Sequence, residues 1–456
     1  MNSKFENSRL NTIGSASIPR LLLAFSVPAI ISMIVESLYN ITDRYFVAAG
    51  VGYLGIAGIT LCFPISLFIM ALSIIIGVGG NTLFAIRLGE KKYGQASLIL
   101  NNAFTLLILM AVISLTLGEI FMDPLLVAFG ASEETLPYAS SYMRIILFGA
   151  VFQTVTPGMN HFIRSLGHPK TAMFRNLIGA GLNIFFDWLF IIQFHWGIEG
   201  AAWATVLSQA ITTIFVMQFF FKKSTPIKIS WKLMHLSFPY VRRIFIMGLP
   251  PSIMQICNSL MNVILNKSLV HYGNESPYGG DMAVSAFGIA NSIAMMLIMP
   301  VMGFVQGGQP IIGYNYGAKL FVRVKKTLKV MLLVSVSWMT VCWILVQTNA
   351  EWFVHFFSGD NAQLLELSCK AMRTFLFAMP MIAVSMICGN YFQGTGKPGR
   401  SMLLNMSRQM IILIPFLLIM PCFFQLHGVF MAAPISDTVA AILAAVLLKL
   451  DMKKLH

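Results

Sequence analysis

Apolar residues run in long segments along nearly the whole chain, and polar residues cluster between the segments. Each segment has at least about 18 residues, the length that an α-helix needs to cross the hydrocarbon core of a membrane. The pattern predicts twelve transmembrane helices, near residues 20–48, 55–87, 94–122, 136–165, 169–194, 198–221, 244–270, 283–314, 322–356, 364–394, 399–424 and 428–450.

The composition supports a membrane protein. Of the 456 residues, 57% are hydrophobic and 11% are charged, whereas soluble domains contain roughly 25% charged residues. A net charge of +14 is compatible with a nucleic-acid partner, but the basic residues lie at the ends of the apolar segments. That placement is typical of membrane topology. We therefore predict an all-α, multi-pass membrane protein that binds no nucleic acid.

Lysine and arginine collect in alternate loops. Basic clusters follow every even-numbered segment, while the opposite loops carry mainly Asp and Glu. Because basic loops remain on the cytoplasmic side, both termini are predicted to be cytoplasmic.

The two halves of the chain are copies of each other. Corresponding blocks lie 222 to 229 residues apart and include residues 28–40 with 250–262, 87–96 with 314–324, and 161–176 with 390–405. Because each half has an even number of segments, the two copies share one orientation in the membrane. We predict two six-helix bundles, 1–222 and 223–456, related by pseudo-two-fold symmetry, which in transporters enclose a central cleft.

Acidic residues lie inside the apolar segments of the first half. Glu36, Asn40 and Asp43 are spaced so that they share one face of a helix. An ionisable group at this depth costs about 2.5–3.5 kcal/mol on insertion scales, so such groups usually line paths for ions or protons. In the second copy, Glu36 corresponds to Asn258 and Asp43 to Leu265. The negative charge is therefore concentrated in the first bundle.

A second intramembrane acid lies in the fifth segment. Asn183 and Asp187 are four residues apart and face the same way on a helix. Carboxylate and amide oxygens suit Na⁺, and two neighbouring carboxyl groups also suit a proton. The alternative is a polar clamp between helices, worth only about 0.6 kcal/mol on average. We predict a cation-coupling role for Asp43, Asn183 and Asp187, with the choice between Na⁺ and H⁺ open.

The second half carries amides where the first half carries acids. Gln255, Asn258 and Asn262 lie within about one helical face, and we predict that they line a cavity together with Asn40 and Gln209. Asp437, at the position of Gln209 in the first half, is the exception, and Arg408 receives no role.

The chain also contains 30 methionines and 36 phenylalanines. Methionine adapts to irregular apolar surfaces, and aromatic rings attract cations. These residues suit a cavity for diverse lipophilic cations.

Other classes of function lack sequence support. The chain contains no G-x-x-x-x-G-K-[ST] motif, so nucleotide-driven transport is not expected. The six cysteines form no C-x-x-C pair and the eight histidines show no metal-ligand spacing. We find no nucleophile–base pair. We therefore expect a protein that is not an enzyme and needs no cofactor.

Several motifs resemble those of the multidrug and toxic compound extrusion (MATE) family: RLGEKKYGQA (87–96), SLGHPKTAM (165–173) and LNIFFDWLFI (182–191). The similarity covers essentially the whole chain and is greatest to MepA-like bacterial members. The resemblance implies a secondary active antiporter of the bacterial cytoplasmic membrane. Such a protein exports drugs, especially organic cations, in exchange for Na⁺ or H⁺.

The resemblance also implies a cation site in the first bundle, formed here by Asp43, Asn183, Asp187 and Thr205. Glu36 and Tyr39 fall where members of the family line the cavity of the first bundle, and Pro28 resembles their helix-bending proline. Some members carry further acids in the seventh and tenth helices, but the seventh helix here has Gln255 and Asn258. A mechanism that needs a carboxylate in the second bundle is therefore not expected.

Two other functions remain open at this point. One is a flippase for lipid-linked precursors, from the same superfamily, which should have a strongly cationic cavity. The other is a sodium-driven solute importer, which differs in the direction of transport. For the drug antiporter, our main interpretation, we expect a monomer.

Overall fold

The computed structural model describes residues 11–129, 131–222, 225–358 and 361–453. Within these ranges, the side chains outside the described part are those of Asn40, Arg44, Ala48, Tyr53, Ile56, Ser259, Phe356, Phe357 and Ser358. The predicted cavity residue Asn40 is thus placed only by its backbone. The described residues form helices and connecting turns, without a strand.

The first half of the chain forms long helices that follow the predicted segments. From Ile18 onward they are α1 (Ile18–Gly50), α2 (Tyr53–Gly89), α3 (Tyr93–Ala128), α4 (Leu136–Phe148), α5 (Ala150–Ser165), α6 (Pro169–Asp187) and α7 (Gly197–Phe221). Gly149 separates α4 from α5. A π-helical turn, Trp188–Gln193, extends α6.

The second half begins with a 3₁₀ turn, Trp231–Leu233. Its helices are α8 (Phe238–Asn274), α9 (Gly280–Gly317), α10 (Phe321–Thr348), α11 (Ala350–Ser358), α12 (Ala362–Phe375), α13 (Met379–Gly394), α14 (Pro398–Met406) and α15 (Leu413–Met452). A π-helical turn, Ser407–Ile412, joins α14 to α15. Gln425 has non-helical angles, φ 49° and ψ −135°, which divide α15 into two parts.

These helices account for the twelve predicted spans. In the described part of the chain, nine helical stretches are long and apolar enough to cross a membrane, and the bent pair α12–α13 forms a tenth. One of the nine, Pro398–Met452, is 55 residues long and contains the kink at Gln425. At about 1.5 Å per residue it is long enough for two crossings. The pair α4–α5 forms the remaining span.

The helices group into two compact units. Unit 1 comprises Met1–Gly248 and Gly313–Lys319, and unit 2 comprises Leu249–Ile312 and Leu320–His456. The division thus falls within α8 and near the end of α9, whereas the sequence places it between residues 222 and 223. Each unit has its own apolar core. Val47, Ile69 and Leu147 contribute to the core of unit 1, and Leu269, Met339 and Phe430 to that of unit 2.

Equivalent loops of the two halves have the same backbone conformation at matched positions. Lys91 and Lys319 both have positive φ, 59° and 58°. Gly167 and Gly396 do as well, with 84° and 73°. L-amino acids other than glycine rarely adopt such angles. The members of each pair are separated by the predicted offsets of 228 and 229, so the repeat extends to loop conformation.

Gly89 and Gly317, a matched pair in the sequence repeat, lie at a close backbone contact in unit 1. A Cβ atom added to Gly89 would collide with the carbonyl oxygen of Tyr314, and one added to Gly317 would collide with that of Ile86. Only glycine permits this approach.

Candidate functional site

Three helices of unit 1 bring the predicted coupling residues together. α1 packs against α6, and α6 packs against α7. Asp187 is the last residue of α6, directly before the π-helical turn Trp188–Gln193. Such wide turns interrupt the regular hydrogen bonds of a helix and often occur at functional sites.

Asp187 is at the centre of the polar cluster. Its side chain is fully buried, with 0% exposure, and Asn183 and Thr205 are buried beside it. With the Asn183 amide oriented to satisfy both neighbours, its Nδ2 donates to Asp187 Oδ2 at 2.8 Å and its oxygen accepts from the Thr205 backbone N–H at 3.3 Å. α6 and α7 are therefore joined through polar groups at this depth.

α1 contributes the second carboxyl group. The half-buried Asp43 lies in hydrogen-bonding contact with Asp187. Tyr39, one helical turn earlier, forms a hydrogen bond with Thr205. The structure thus brings together all four residues that the resemblance assigns to the cation site, Asp43, Asn183, Asp187 and Thr205.

The cluster has an oxygen available for a proton or a cation. Oδ1 of Asp187 is buried and accepts no hydrogen bond from an amide, a hydroxyl or a cationic group of the described residues. Since two carboxyl groups in hydrogen-bonding contact share one proton, this oxygen fits a proton held with Asp43. It also fits a small cation, because the neighbouring carboxyl, amide and hydroxyl oxygens are hard ligands of the kind Na⁺ prefers.

Glu36 lies about two turns before Asp43 on α1, where its side chain is exposed. The positive charge of Arg164 acts on the Glu36 carboxyl group. Arg164 ends α5 and is buried, with 8% exposure. Arg164 belongs to the basic cluster that follows the fourth predicted segment, and the sequence did not indicate its interaction with Glu36. Arg164 lies inside the predicted segment 136–165, and a basic residue within a predicted segment is the signal that could have marked it.

The remaining predicted cavity residues occupy two units. Gln209 is half-buried on α7, and its Oε1 has no hydrogen-bond partner among the described residues. Gln255, Asn258 and Asn262 lie on the part of α8 that belongs to unit 2. Asn262 is exposed and donates to the Asn258 carbonyl oxygen at 2.8 Å. Their role in the cavity stays a prediction.

Unit 2 contains a largely buried ion pair, whose acid Asp437 corresponds to Gln209 of unit 1 in the sequence repeat. Arg408 Nε donates to Asp437 Oδ1 at 2.6 Å, and Ser436 Oγ donates to the Arg408 carbonyl oxygen at 2.6 Å. Asp437 is 5% exposed. The sequence identified both charges but did not pair them, because the two residues are 29 positions apart.

Unit 2 also has a charged cluster at the end of the last helix. Asp451 is buried and accepts from Lys397 Nζ at 2.6 Å, from Tyr391 Oη at 2.7 Å and from Arg400. Arg400 also lies over the ring of Phe392. The acid therefore ties the end of α15 to the loop between α13 and α14.

Comparison with known proteins identifies the family. A family model described as MatE matches residues 28–189 and again residues 250–419, together more than half of the chain. The two matches begin 222 residues apart, which is the predicted offset of the first pair of repeats.

Relatives with similar sequences are transport proteins. The multidrug export protein MepA of Staphylococcus saprophyticus is 26% identical over 449 residues, covering 98% of this chain and 96% of the relative. MepA of Staphylococcus aureus strain N315 is 27% identical over 431 residues, covering 94% and 93%.

Solved structures agree with the fold. A multidrug resistance MATE family transporter in an outward-facing conformation superimposes with a TM-score of 0.89 at 25% identity, over 97% of this chain and 98% of the other. A MATE structure in a bent conformation gives 0.91 at 25% identity, over 98% of each chain. The predicted twelve-helix, two-bundle fold and the predicted resemblance to MepA-like proteins are confirmed.

Proposed function

Because the chain belongs to the MatE family, we propose that it is a secondary active multidrug exporter that exchanges lipophilic or cationic drugs for Na⁺ or H⁺. The contact between Asp43 and Asp187 carries this proposal. It supplies an acidic pair, with Asp187 buried and Asp43 half-buried, in a protein whose relatives are named as multidrug export proteins. The protein is a transporter with no catalytic chemistry of its own.

The acidic pair accounts for coupling in physical terms. When the pair holds a proton or Na⁺, the charge of the carboxyl groups is compensated, and α1 can pack against α6. When the ion leaves, two carboxylates face each other, and their repulsion favours a different packing of α1. A drug that prefers one of these packings changes the affinity for the ion, and the ion changes the affinity for the drug by the same factor.

Glu36 and Tyr39 on α1, with Gln209 on α7, are the residues of unit 1 that we assign to drug binding. Glu36 would attract a cationic drug, and Tyr39 would place an aromatic ring beside it. The amides Gln255, Asn258 and Asn262 are assigned to the same task in unit 2. We further propose that the protein works as a monomer in the bacterial cytoplasmic membrane with both termini in the cytoplasm.

Dye efflux from proteoliposomes tests this function. We expect ethidium efflux from vesicles with the full-length chain when a Na⁺ gradient or a pH gradient is imposed, and each gradient is applied alone. Asp43→Asn and Asp187→Asn should fold but lose gradient-driven efflux. A neutral amide neither takes up and releases a proton nor carries the negative charge that attracts Na⁺. The matched control is Asp123→Asn, an exposed acid of α3, which should transport like the wild type. Wild-type efflux by Asp43→Asn would refute the proposed coupling site.

A further inference from the structure

The segment that connects the two halves of the sequence is fixed along α3. Asn101 is fully buried, with 0% exposure. Its Oδ1 accepts from the backbone N–H of Ser230 at 2.8 Å, and its Nδ2 donates to the carbonyl oxygen of Lys228 at 3.2 Å. The next residue, Asn102, is also fully buried.

Two further hydrogen bonds extend this attachment. Asn102 Oδ1 accepts from the backbone N–H of Ser237 at 2.8 Å. Thr105 Oγ1 donates to the carbonyl oxygen of Met234 at 3.1 Å. All these residues belong to unit 1. Polar side chains of α3 therefore hold the backbone of the connecting segment in place. The fixed backbone determines which side chains of the connecting segment point outward.

The side chains of the connecting segment alternate between inside and outside. Ile227 and Ile229 are buried, while Lys228 between them is exposed. A period of two is expected for an extended backbone, and Ser230 has extended angles, φ −135° and ψ 126°. The alternation places two apolar side chains against unit 1 and leaves the lysine outside.

Large aromatic side chains share the outer surface with the lysines. Trp231 is 82% exposed and Phe238 is 75% exposed, and Lys232 is exposed beside Trp231. We call Lys228, Trp231, Lys232 and Phe238 the linker face. Exposed aromatic side chains next to basic residues are typical of a surface that contacts lipid headgroups.

Charge identifies the partner. Between Lys222 and Arg243 the chain contains six basic residues and no Asp or Glu. Tryptophan is enriched at the level of the lipid headgroups, and basic residues next to a membrane are attracted to anionic lipids. The two features together select an anionic lipid surface over a neutral one.

We propose that the linker face binds the headgroups of anionic phospholipids at the membrane surface. Lys228 and Lys232 contact the phosphate groups, and Trp231 and Phe238 lie among the headgroups and the first acyl carbons. The hydrogen bonds from Asn101, Asn102 and Thr105 hold the face in position. This site is separate from the acidic pair, and it requires neither drug nor coupling ion.

Native mass spectrometry of the detergent-solubilised full-length chain tests the site. The protein is titrated with phosphatidylglycerol, and with phosphatidylcholine as the neutral lipid. We expect a preference for phosphatidylglycerol that falls about fivefold for each lysine removed in Lys228→Gln and Lys232→Gln. Trp231→Ala should weaken the binding of both lipids, and Trp231→Tyr should largely restore it.

Lys326→Gln/Lys329→Gln is the matched control, because it removes two exposed lysines from α10, whose exposed tryptophan, Trp338, lies more than two turns further along the helix. It should retain the lipid preference. An equal loss in the control and in Lys228→Gln/Lys232→Gln would overturn the site, because general surface charge would then explain binding. The proposal is also overturned if the wild type shows no preference for phosphatidylglycerol, or if glycerol phosphate alone competes as well as the lipid. Gel filtration of each variant verifies that it is folded.

Discussion

Arg164 is a charged residue in a buried position, and the charge of Glu36 acts on it. Replacing Arg164 by Met removes the cation and leaves Glu36 without its opposite charge. Because Glu36 is exposed, water screens part of the effect. We expect Arg164→Met to lower the free energy of unfolding by about 1–2 kcal/mol, measured by thermal unfolding in detergent.

A double-mutant cycle separates this pair from simple loss of packing. If the two charges interact, Glu36→Gln/Arg164→Met should be more stable than the sum of the two single effects predicts. Strict additivity would show that Arg164 acts only through the apolar part of its side chain.

Individual residues of the site were predictable to different degrees. Asn183 and Asp187 could be placed on one face because helical spacing alone fixes their direction. Thr205 was assigned only through the resemblance, since a threonine within an apolar segment has no distinctive pattern. Arg164 could not be recognised as a buried charge because a basic residue at the end of a segment is also typical of membrane topology, and only tertiary packing shows its burial.

At the scale of helices and turns, Gly167 and Gly396 follow the ends of corresponding helices in the two halves and have φ of 84° and 73°. A Cβ atom is strained at such angles, so Gly167→Ala and Gly396→Ala should each lower the free energy of unfolding by about 1–2 kcal/mol. Gly399→Ala is the control, because no atom lies within 4 Å of the added methyl group. Thermal unfolding measures the loss of stability in each of the three variants. An equal loss in all three would contradict the claim that positive φ at Gly167 and Gly396 requires glycine.

The end of the last helix depends on Asp451. Asp451→Asn removes the partner of Lys397 and Arg400, which are themselves partly exposed. We expect the free energy of unfolding to fall by about 1–3 kcal/mol and protease cleavage near the C-terminus to become faster. Unchanged stability and cleavage would show that the two cations are solvated equally well without the acid.

Glu90 is the more exposed counterpart of Asp451, because it also contacts two basic residues. Arg87 lies at 2.5 Å and Lys92 at 3.0 Å from its carboxylate. Partial burial raises the pKa of Glu90, but the hydrogen bonds from Lys92 and Arg87 outweigh it and hold the pKa below the usual 4.5. A lowered carboxyl pKa stabilises the fold at neutral pH, and this stabilisation is lost as the pH falls through it. Glu90→Gln should therefore cost about 0–1 kcal/mol at pH 7, and this cost should disappear as the pH falls through the lowered pKa of Glu90.

Helix positions followed from the sequence more closely than helix irregularities. Hydrophobic length gave the twelve spans, and the boundary predicted after residue 424 coincides with the kink at Gln425. The π-helical turns Trp188–Gln193 and Ser407–Ile412 were not predicted. They add one residue to a turn without changing its apolar character, so hydropathy does not register them. The predicted single helix near 322–356 is divided into α10 and α11 at Asn349.

At the scale of the whole molecule, the two halves share one helix pattern but differ in their buried charges. Unit 1 has the acidic pair Asp43 and Asp187, whereas the buried acid Asp437 of unit 2 is compensated by Arg408. The Arg408 guanidinium already neutralises the Asp437 carboxylate, so this carboxylate is not available to bind an exchanging ion. The asymmetry predicts that ion coupling depends on unit 1 alone, although both halves descend from the same pattern.

Variants of the Arg408–Asp437 pair test this asymmetry. Asp437→Asn should destabilise the protein by about 3 kcal/mol, the lower end for a buried pair, because it leaves the Arg408 guanidinium, which is 20% exposed, without its partner. Arg408→Met/Asp437→Leu removes both charges together, so it should recover most of the stability, and it should retain gradient-driven dye efflux. Asp187→Asn should show the reverse, normal folding without coupling. Loss of efflux in a well-folded Arg408→Met/Asp437→Leu variant would place a second coupling element in unit 2 and would contradict the division of roles between the two halves.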